Sequence, residues 1–135
     1  YIGSPGGHVE SGDTIFDLIR YIKPEVRIIG TGWVGSIATH IYLAADKANR
    51  YALPNTRFLI HQPSGGFGGD AADIEIHARE ILKTRERING IIAERTGQTI
   101  DRVGEDTQRD YWMSAEESVE YGLVGKIIND IGEVG

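Results

Sequence analysis

Ser36 stands where a nucleophilic hydroxyl could be presented to a substrate. An apolar stretch, Val26–Gly30, is typical of a strand, a glycine-rich turn follows it, and Ser36 lies between Gly35 and an alanine-rich helix. Small neighbours let the backbone turn tightly enough to expose the side chain, and the free N–H groups of a helix start can stabilise a developing oxyanion. The pattern also fits a serine that only caps the helix.

His61 ends the apolar strand predicted at Thr56–His61. A titratable group at the end of such a strand lies at the edge of a sheet, where the sites of α/β proteins are found. Its imidazole could take a proton from Ser36 and pass it to a leaving amine. The alternative is a histidine hydrogen-bonded within a turn. His40 is interpreted as a packed helix residue and His77 as part of a charged helix face.

The acid that would orient this imidazole is expected after the longest helix. Asp101, Asp106 and Asp110 all lie in that part of the chain, and their spacing alone does not choose between them. Asp110 precedes the aromatic pair Tyr111-Trp112, whose packing could exclude water from the carboxylate and fix its orientation.

Paired glycines near the start of the chain could bring backbone amides to a ligand. In Ser4-Pro-Gly-Gly7, the N–H of Gly7 could be one oxyanion donor and the N–H of Ile37 the other. His8, directly after the glycine pair, could line the mouth of such a site. A plain type II turn centred on Pro5 and Gly6 explains the same residues without any function.

The remaining pattern alternates strands and helices, beginning with a strand end at the first residues. Helices are predicted over Gly12–Ile22, Ser36–Lys47, Asp70–Arg95, Thr99–Thr107 and Ser114–Tyr121, and further strands over Val26–Gly30, Tyr51–Leu53, Thr56–His61 and Val124–Ile128. This alternation predicts an α/β fold in which helices cover a partly parallel sheet.

Composition narrows the class of protein. A length of 135 residues suits one domain. The formal net charge of −6 argues against nucleic acid as a partner, and the longest uncharged run, Gly30–Ala45, is too short to span a membrane. The absence of cysteine excludes disulfides and thiolate chemistry. We expect no metal and no organic cofactor, and the chain carries no phosphate-binding loop motif.

Seven stretches, in order along nearly the whole chain, resemble the proteolytic subunit of the Clp protease (ClpP). They are Tyr1-Ile-Gly-Ser-Pro-Gly-Gly, Tyr21-Ile-Lys-Pro-Glu, Gly35-Ser36, Leu53-Pro-Asn-Thr-Arg-Phe-Leu-Ile-His61-Gln-Pro, Asp73-Ile-Glu-Ile-His-Ala-Arg-Glu-Ile-Leu-Lys, Asp106-Thr-Gln-Arg-Asp110 and Glu120-Tyr-Gly-Leu-Val. The resemblance implies the spiral α/β fold shared with the crotonase-like enoyl-CoA hydratases, with Asp70–Arg95 projecting as a handle helix.

The same resemblance implies a serine endopeptidase with a Ser-His-Asp triad. The family motifs fall on Ser36, His61 and Asp110, and the backbone oxyanion donors fall on Gly7 and Ile37. The family binds substrate as an added strand, which implies that two segments flank the peptide. These substrate-binding residues are Gly7, His8 and Val9 on one side and Ser64, Gly65 and Gly66 on the other. Arg109 corresponds to an arginine that pairs across the interface between rings.

Assembly and partners are further implications of the resemblance. The family forms two stacked seven-membered rings around a chamber, into which an AAA+ unfoldase of the ClpX, ClpA or ClpC type feeds unfolded polypeptide. A paralogous peptidase subunit could share the ring. A bacterial cytoplasm is the expected location, with an organelle matrix as the alternative. The matched stretches begin after the family's N-terminal axial loop, first helix and first strand, so a single domain without them is expected.

Three departures from the family pattern affect residues around the cleft. Gly3 replaces an asparagine, Ile37 a methionine and Ser64 a leucine, and none of these removes a triad member. Ile37 and Ser64 flank the cleft, so they bear on substrate preference. Two other functions fit parts of the pattern. One is an acyl-CoA hydratase of the same fold, which needs no nucleophilic serine, and the other is a catalytically silent partner in a mixed ring.

Overall fold

A mainly parallel sheet organises the computed structural model, which describes residues 1–63 and 69–135. Within these ranges the strands are β1 (Ile2–Ser4), β2 (Ile28–Gly35), β3 (Arg50–Ala52), β4 (Arg57–Ile60), β5 (Tyr111–Met113) and β6 (Lys126–Ile127). The helices are α1 (Val9–Tyr21), α2 (Ile37–Tyr42), α3 (Ala71–Thr96), α4 (Ile100–Asp106) and α5 (Ala115–Tyr121). The predicted α/β class with a partly parallel sheet is confirmed.

Strand β2 is the centre of the sheet. Its first half pairs with β3 and its second half with β4, both in parallel, while β1 pairs with it at Gly30 and Val34. Gly32 lies between the two halves with a φ of 57°, a left-handed conformation that glycine adopts without strain. The predicted strand ends at Gly30, but the glycine-rich stretch continues it up to Gly35, so the sheet reaches the position before Ser36.

Strand β5 is absent from the sequence prediction. It pairs antiparallel with β4, in a register that places Ile60 opposite Tyr111. One step further along this register, residue 61 comes opposite residue 110. With only three residues, β5 is too short to give an alternating pattern that the sequence alone would reveal.

Helix α2 occupies the core against this sheet. All but one of its residues are buried, and Tyr42 and Phe58 are fully inaccessible and pack with their ring centroids 5.1 Å apart. The helix is shorter than predicted, ending at Tyr42 instead of Lys47, because side chains bind the backbone carbonyls beyond it. Arg95 donates to the carbonyls of Leu43 and Ala45 at 2.9 Å each.

Helix α3 is the projecting element that the resemblance implies. Asp70 caps its start through a 3.0 Å bond from the Asp73 N–H, and Gly97 ends it with a left-handed φ of 83°. Its buried residues are Ile88, Asn89 and Ile92, all in the second half, so the first half extends beyond the core. Helix α1 starts earlier than predicted, because the His8 ring accepts a bond from the Ser11 N–H and caps it.

Candidate active site

Three neighbouring strands deliver the three predicted triad residues. Ser36 follows the last residue of β2, His61 follows the last residue of β4, and Asp110 precedes the first residue of β5. Because β4 pairs with β2 on one side and with β5 on the other, these positions lie side by side along one edge of the sheet. Adjacent strands are about 4.8 Å apart, which is a separation that side chains can bridge.

The side chains meet in the order Ser36, His61, Asp110. Ser36 Oγ lies 2.8 Å from His61 Nε2, a hydrogen bond, and His61 Nδ1 lies 3.4 Å from Asp110 Oδ1. The second contact is long, and the Asp110 side chain is 65% exposed. Contacts of this kind are often loose without substrate and shorten in the complex.

The other two candidate acids lie elsewhere. Asp106 accepts hydrogen bonds from Arg102 Nε and from the Tyr121 hydroxyl, each at 2.8 Å. Asp101 is exposed in the first turn of α4. The geometry therefore brings only Asp110, of the three, to His61.

Ser36 has a backbone conformation that sets it apart. Its φ of 55° is positive, and among the described residues it is the one non-glycine residue for which this is so. Such a conformation costs on the order of 1–3 kcal/mol and persists only where the surroundings impose it. Here its N–H donates to the Leu59 carbonyl at 2.9 Å, and the nearby Thr39 hydroxyl donates to the Val34 and Leu59 carbonyls.

The Ser36 hydroxyl makes no capping bond to α2. The structure therefore does not support a serine that only caps the helix, because Ser36 Oγ is hydrogen-bonded to His61 instead. This differs from Ser114, whose hydroxyl accepts the Glu117 N–H at 3.1 Å in a full capping box at the start of α5.

The glycine pair packs directly against this turn. A Cβ atom on Gly6 would lie 2.7 Å from Ser36 Cβ and 2.8 Å from the Gly35 carbonyl oxygen, and Gly6 has a φ of 100°. Only glycine fits this position without displacing the backbone of the Ser36 turn. Gly7, with open space around its Cα, lines the same cavity as Ile37.

A cavity of about 330 Å³ opens beside Ser36 and His61. Its wall is mostly apolar, with Val9, Ile37, Ile60, Ile88 and Ile92 among the lining residues. Val9 is therefore at the cavity as predicted, whereas the His8 side chain turns to Ser11 and Glu10 in the first turn of α1. The predicted substrate residues Ser64, Gly65 and Gly66 lie outside the described residues.

The sequence pattern did not predict that His40 lines this cavity. Its ring lines the cavity, is 2% exposed and stacks on Phe16 at a centroid distance of 4.5 Å. Its position four residues after Ser36, one helical turn along α2, was the available signal, since it puts both residues on one face of the helix. Burial lowers the pKa of His40, and the positive Arg87 adds to this, against the opposing effect of Asp13.

Arg109, predicted to lie at the ring interface, is exposed between α4 and β5. In the described ranges, no group of three or more His, Asp or Glu side chains is placed to hold a metal ion. Nor does any helix in those ranges have the length and apolar character needed to cross a membrane.

Comparison with known proteins agrees with this fold and identifies the family. The family model described as Clp protease matches residues 1–130. An ATP-dependent Clp protease proteolytic subunit 3 from Rhizobium meliloti is 58% identical over 134 residues, covering 99% of this chain and 69% of the relative. A proteolytic subunit 2 from Pseudomonas aeruginosa is 61% identical over 128 residues, covering 95% of this chain and 64% of the relative.

A solved structure agrees equally closely. A mutant form of ClpP1 from Listeria monocytogenes superposes with a TM-score of 0.93 at 52% identity, covering 99% of this chain and 74% of that one. The curled sheet with outer helices, together with the family match and the named relatives, gives the class as a serine-type endopeptidase of the ClpP fold. The chain belongs to the Clp protease family.

Proposed function

We propose that Ser36, His61 and Asp110 are the catalytic triad of this endopeptidase. The observation that carries the proposal is the 2.8 Å hydrogen bond between Ser36 Oγ and His61 Nε2. Ser36 has a strained backbone conformation, and its hydroxyl makes no capping bond to α2. A serine hydroxyl is a weak nucleophile until an adjacent base takes its proton, and this arrangement supplies that base.

The reaction then proceeds by acyl transfer. Ser36 Oγ attacks the peptide carbonyl while His61 Nε2 takes the hydroxyl proton, and His61 returns that proton to the leaving amine. Asp110 accepts a bond from Nδ1–H, which holds the imidazole in the required tautomer. The N–H groups of Gly7 and Ile37 stabilise the oxyanion, and water hydrolyses the acyl-enzyme through the same base.

Two serine variants test this role against helix capping. We expect Ser36→Ala to reduce hydrolysis of a fluorogenic peptide by more than about 10³-fold and to abolish labelling by a fluorophosphonate, with little loss of stability. The matched control is Ser114→Ala, which removes a true cap and is expected to destabilise the fold by about 1 kcal/mol while activity is retained. A Ser36→Ala variant that hydrolyses peptide at the original rate would refute the proposal. A hydratase of the same fold would show no fluorophosphonate labelling at all.

The assembly is also part of the proposal. The chain acts in two stacked seven-membered rings, located in the bacterial cytoplasm, and an AAA+ unfoldase of the ClpX, ClpA or ClpC type feeds the chamber with unfolded polypeptide. Family membership supports this, as do exposed apolar side chains along the projecting helix, Ile74, Ile76 and Leu82. A ring of this kind could include a paralogous subunit.

Arg109 links ring contact to the active site in this proposal, because it adjoins Asp110 in the chain. We expect Arg109→Ala to give separated single rings with reduced peptide hydrolysis, and Arg109→Lys, which keeps the charge, to be less affected. Native mass spectrometry and a peptidase assay measure the two effects. Single rings with full activity would refute the coupling, and intact double rings would remove the pairing role of Arg109.

A further inference from the structure

Both tryptophans of the chain lie together on the sheet, beside the proposed triad. Trp33 is in β2 and Trp112 in β5, the two strands that flank β4. Their ring centroids are 5.6 Å apart. Trp33 also lines the cavity that Ser36 and His61 share. We call this pair the tryptophan surface, and it continues one wall of the cavity.

The strand register places the tryptophan surface on the same face of the sheet as the triad. Leu59 of β4 lies opposite Trp112 of β5. Because side chains alternate along a strand, Leu59 and His61 share one face of β4, and Asp110 and Trp112 share that face of β5. The 3.4 Å contact between His61 and Asp110 agrees with this placement. A substrate that reaches the triad therefore passes close to the tryptophans.

The two rings are held in place and still expose much of their surface. The Arg57 guanidinium lies 4.3 Å from the centre of the Trp112 ring, a cation–π contact. A Cβ atom on Gly35 would lie 2.6 Å from Trp33 Nε1, so this indole packs closely over the glycine. Yet Trp33 is 43% exposed and Trp112 is 38% exposed, whereas Leu59 is buried. Adjacent exposed aromatic rings form a contiguous apolar patch, which is typical of a binding surface.

The chemistry of peptide cleavage indicates which part of a substrate reaches this surface. His61 returns its proton to the leaving amine, so the segment after the cleaved bond lies on the His61 side of Ser36. The tryptophans flank β4, the strand that leads to His61. The remaining apolar wall of the cavity comes largely from α2 and α3. The leaving segment is therefore the part of the substrate that meets the tryptophans.

We propose that Trp33 and Trp112 form a second substrate-binding subsite, which binds a large apolar or aromatic side chain of the leaving segment. The occupant is the substrate polypeptide, because the surface is continuous with the cavity beside the proposed nucleophile. Indole rings stack with aromatic side chains and bury aliphatic ones, so phenylalanine or leucine is favoured over alanine at this subsite. This inference rests on the proposed peptidase function of Ser36.

Substrates with the same acyl part but different leaving groups test the proposal. Two are peptides that have either phenylalanines or alanines directly after the cleaved bond, and the third is a methyl ester, which releases only methanol. We expect Trp33→Ala and Trp112→Ala each to lower kcat/KM for the phenylalanine peptide by about 5- to 10-fold, because an aromatic contact and its buried apolar area are lost. The preference for phenylalanine over alanine should fall towards one, and the methyl ester should be hydrolysed nearly as before.

Intrinsic fluorescence measures binding directly, because both tryptophans of the chain belong to this surface. In Ser36→Ala, which is expected to bind peptide without cleaving it, an extended peptide with leucines after the bond should shift the emission to shorter wavelength as the indoles lose water. A peptide that ends before the bond should leave the emission unchanged. Emission that stays the same at saturating extended peptide would overturn the proposal.

The matched control is Ile100→Ala at the start of α4. Ile100 is exposed to a similar degree, at 52%, and does not line the cavity. We expect this variant to hydrolyse all three substrates as the unmodified protein does. Equal losses for peptide and ester in the tryptophan variants would show that the rings only position Ser36, and would overturn the subsite. Should Trp33→Ala fail to fold, Trp112→Ala applies the same test to the other ring.

The remaining outcomes separate this inference from its basis. If a second copy of the chain covers the surface, the tryptophan variants will change the native mass and leave the phenylalanine-to-alanine ratio as it was, which overturns the proposal. If the unmodified protein hydrolyses both peptides equally well, the subsite is wrong while the peptidase function stands. If it hydrolyses neither peptide nor ester and a fluorophosphonate does not label Ser36, the proposed function itself fails.

Discussion

Two buried polar groups, Arg50 in strand β3 and His40 in helix α2, have opposite surroundings. Arg50 is 1% exposed, and its guanidinium donates to the carbonyls of Leu123, Ala45, Arg95 and Gly122 at 2.7 to 3.0 Å. His40 is as deeply buried, yet its ring has no hydrogen bond among the described residues.

The difference lies in the hydrogen-bond partners that the fold supplies at each place. The carbonyls around Arg50 lie beyond the ends of α2 and α5 and in the last turn of α3, where helix carbonyls lack partners within their helices. A cation there is stabilised by the negative ends of the helix dipoles. Burial lowers the pKa of Arg50 to about 10, which still leaves it charged at neutral pH. His40 instead lies at a cavity beside the proposed nucleophile.

The largest effect on stability should come from removing Arg50, the group with a full set of hydrogen bonds. Arg50→Met removes a donor from four carbonyls, of which that of Ala45 keeps its bond from Arg95, and we expect it to lower the free energy of unfolding by about 3–5 kcal/mol. Denaturant unfolding measures this loss. A loss below about 1 kcal/mol would mean that the carbonyls find other donors, and the contrast with His40 would disappear.

The next largest effect concerns the glycine turn beside Ser36. In Gly6→Ala the new Cβ would press on Ser36 and the backbone would be strained at its φ of 100°, so the nucleophile shifts. We expect kcat to fall by about 10- to 100-fold, which corresponds to about 1.4–2.7 kcal/mol of the activation barrier. The control for space is Gly104→Ala in α4, since nothing lies within 4 Å of its Cβ position and its φ is not positive. Equal losses in both variants would argue against a specific contact of Gly6 with Ser36.

Removing the His40 ring, which makes no hydrogen bond, should change the free energy of unfolding in the opposite direction from Arg50→Met. His40→Phe replaces an unbonded ring by an apolar ring of similar shape, which is neutral or stabilising, by up to about 1 kcal/mol at neutral pH. Thermal or denaturant unfolding measures the change. A loss as large as that of Arg50→Met would show that His40 is a structural group.

The same variant should change the response to acid. The pKa of His40 is lowered below its ordinary value of 6.5 by burial and by Arg87 from α3, which together outweigh Asp13 and Asp17 from α1. Below pH 6.5, His40 is therefore protonated more readily in the unfolded chain than in the native protein. Acid favours the state that binds more protons, so the free energy of unfolding falls as pH falls. We expect unfolding curves at pH 7.5 and 5.5 to differ less in His40→Phe than in the unmodified protein. An equal pH dependence in both would contradict this.

The smallest effect should come from the exposed pair that fixes Asp13. Arg87→Met removes a bidentate contact whose arginine is 46% exposed, so solvent screening limits the loss to at most about 1 kcal/mol. Unfolding measurements at low and high salt check this, because a screened ion pair weakens with salt. A larger, salt-independent loss would indicate that Arg87 acts through packing.

Much of the fold could be predicted from the sequence, because long periodic segments carry their own signals. The caps at Asp70, Gly97 and Ser114 follow from residue type and position, and the structure has all three. The alternation of these segments likewise predicts the α/β class, which the structure confirms. The choice of Asp110 over Asp101 and Asp106 could not be made from spacing, because it depends on β5, a three-residue strand paired with a distant segment.

The sequence pattern singles out residues that the structure brings together at the candidate site, but it does not reveal what surrounds them. Ser36 and His61 stand out because each follows a readable strand. His40 reads as an ordinary core residue, since nothing in the local pattern shows that Asp13 and Arg87 approach it from two other helices. Such long-range contacts exist only once the chain has folded.

The antiparallel pairing of β4 with β5 has a consequence for the order of folding. His61 and Asp110 become neighbours only when the chain after α3 has returned to the sheet, and closing a long loop is a slow, late step. The Gln62 N–H also bonds the Thr107 carbonyl at 2.9 Å, so the same closure secures both segments. Under the proposed triad, a subunit that has not yet closed this pairing lacks the carboxylate that orients His61, so hydrolysis of polypeptide waits for that closure.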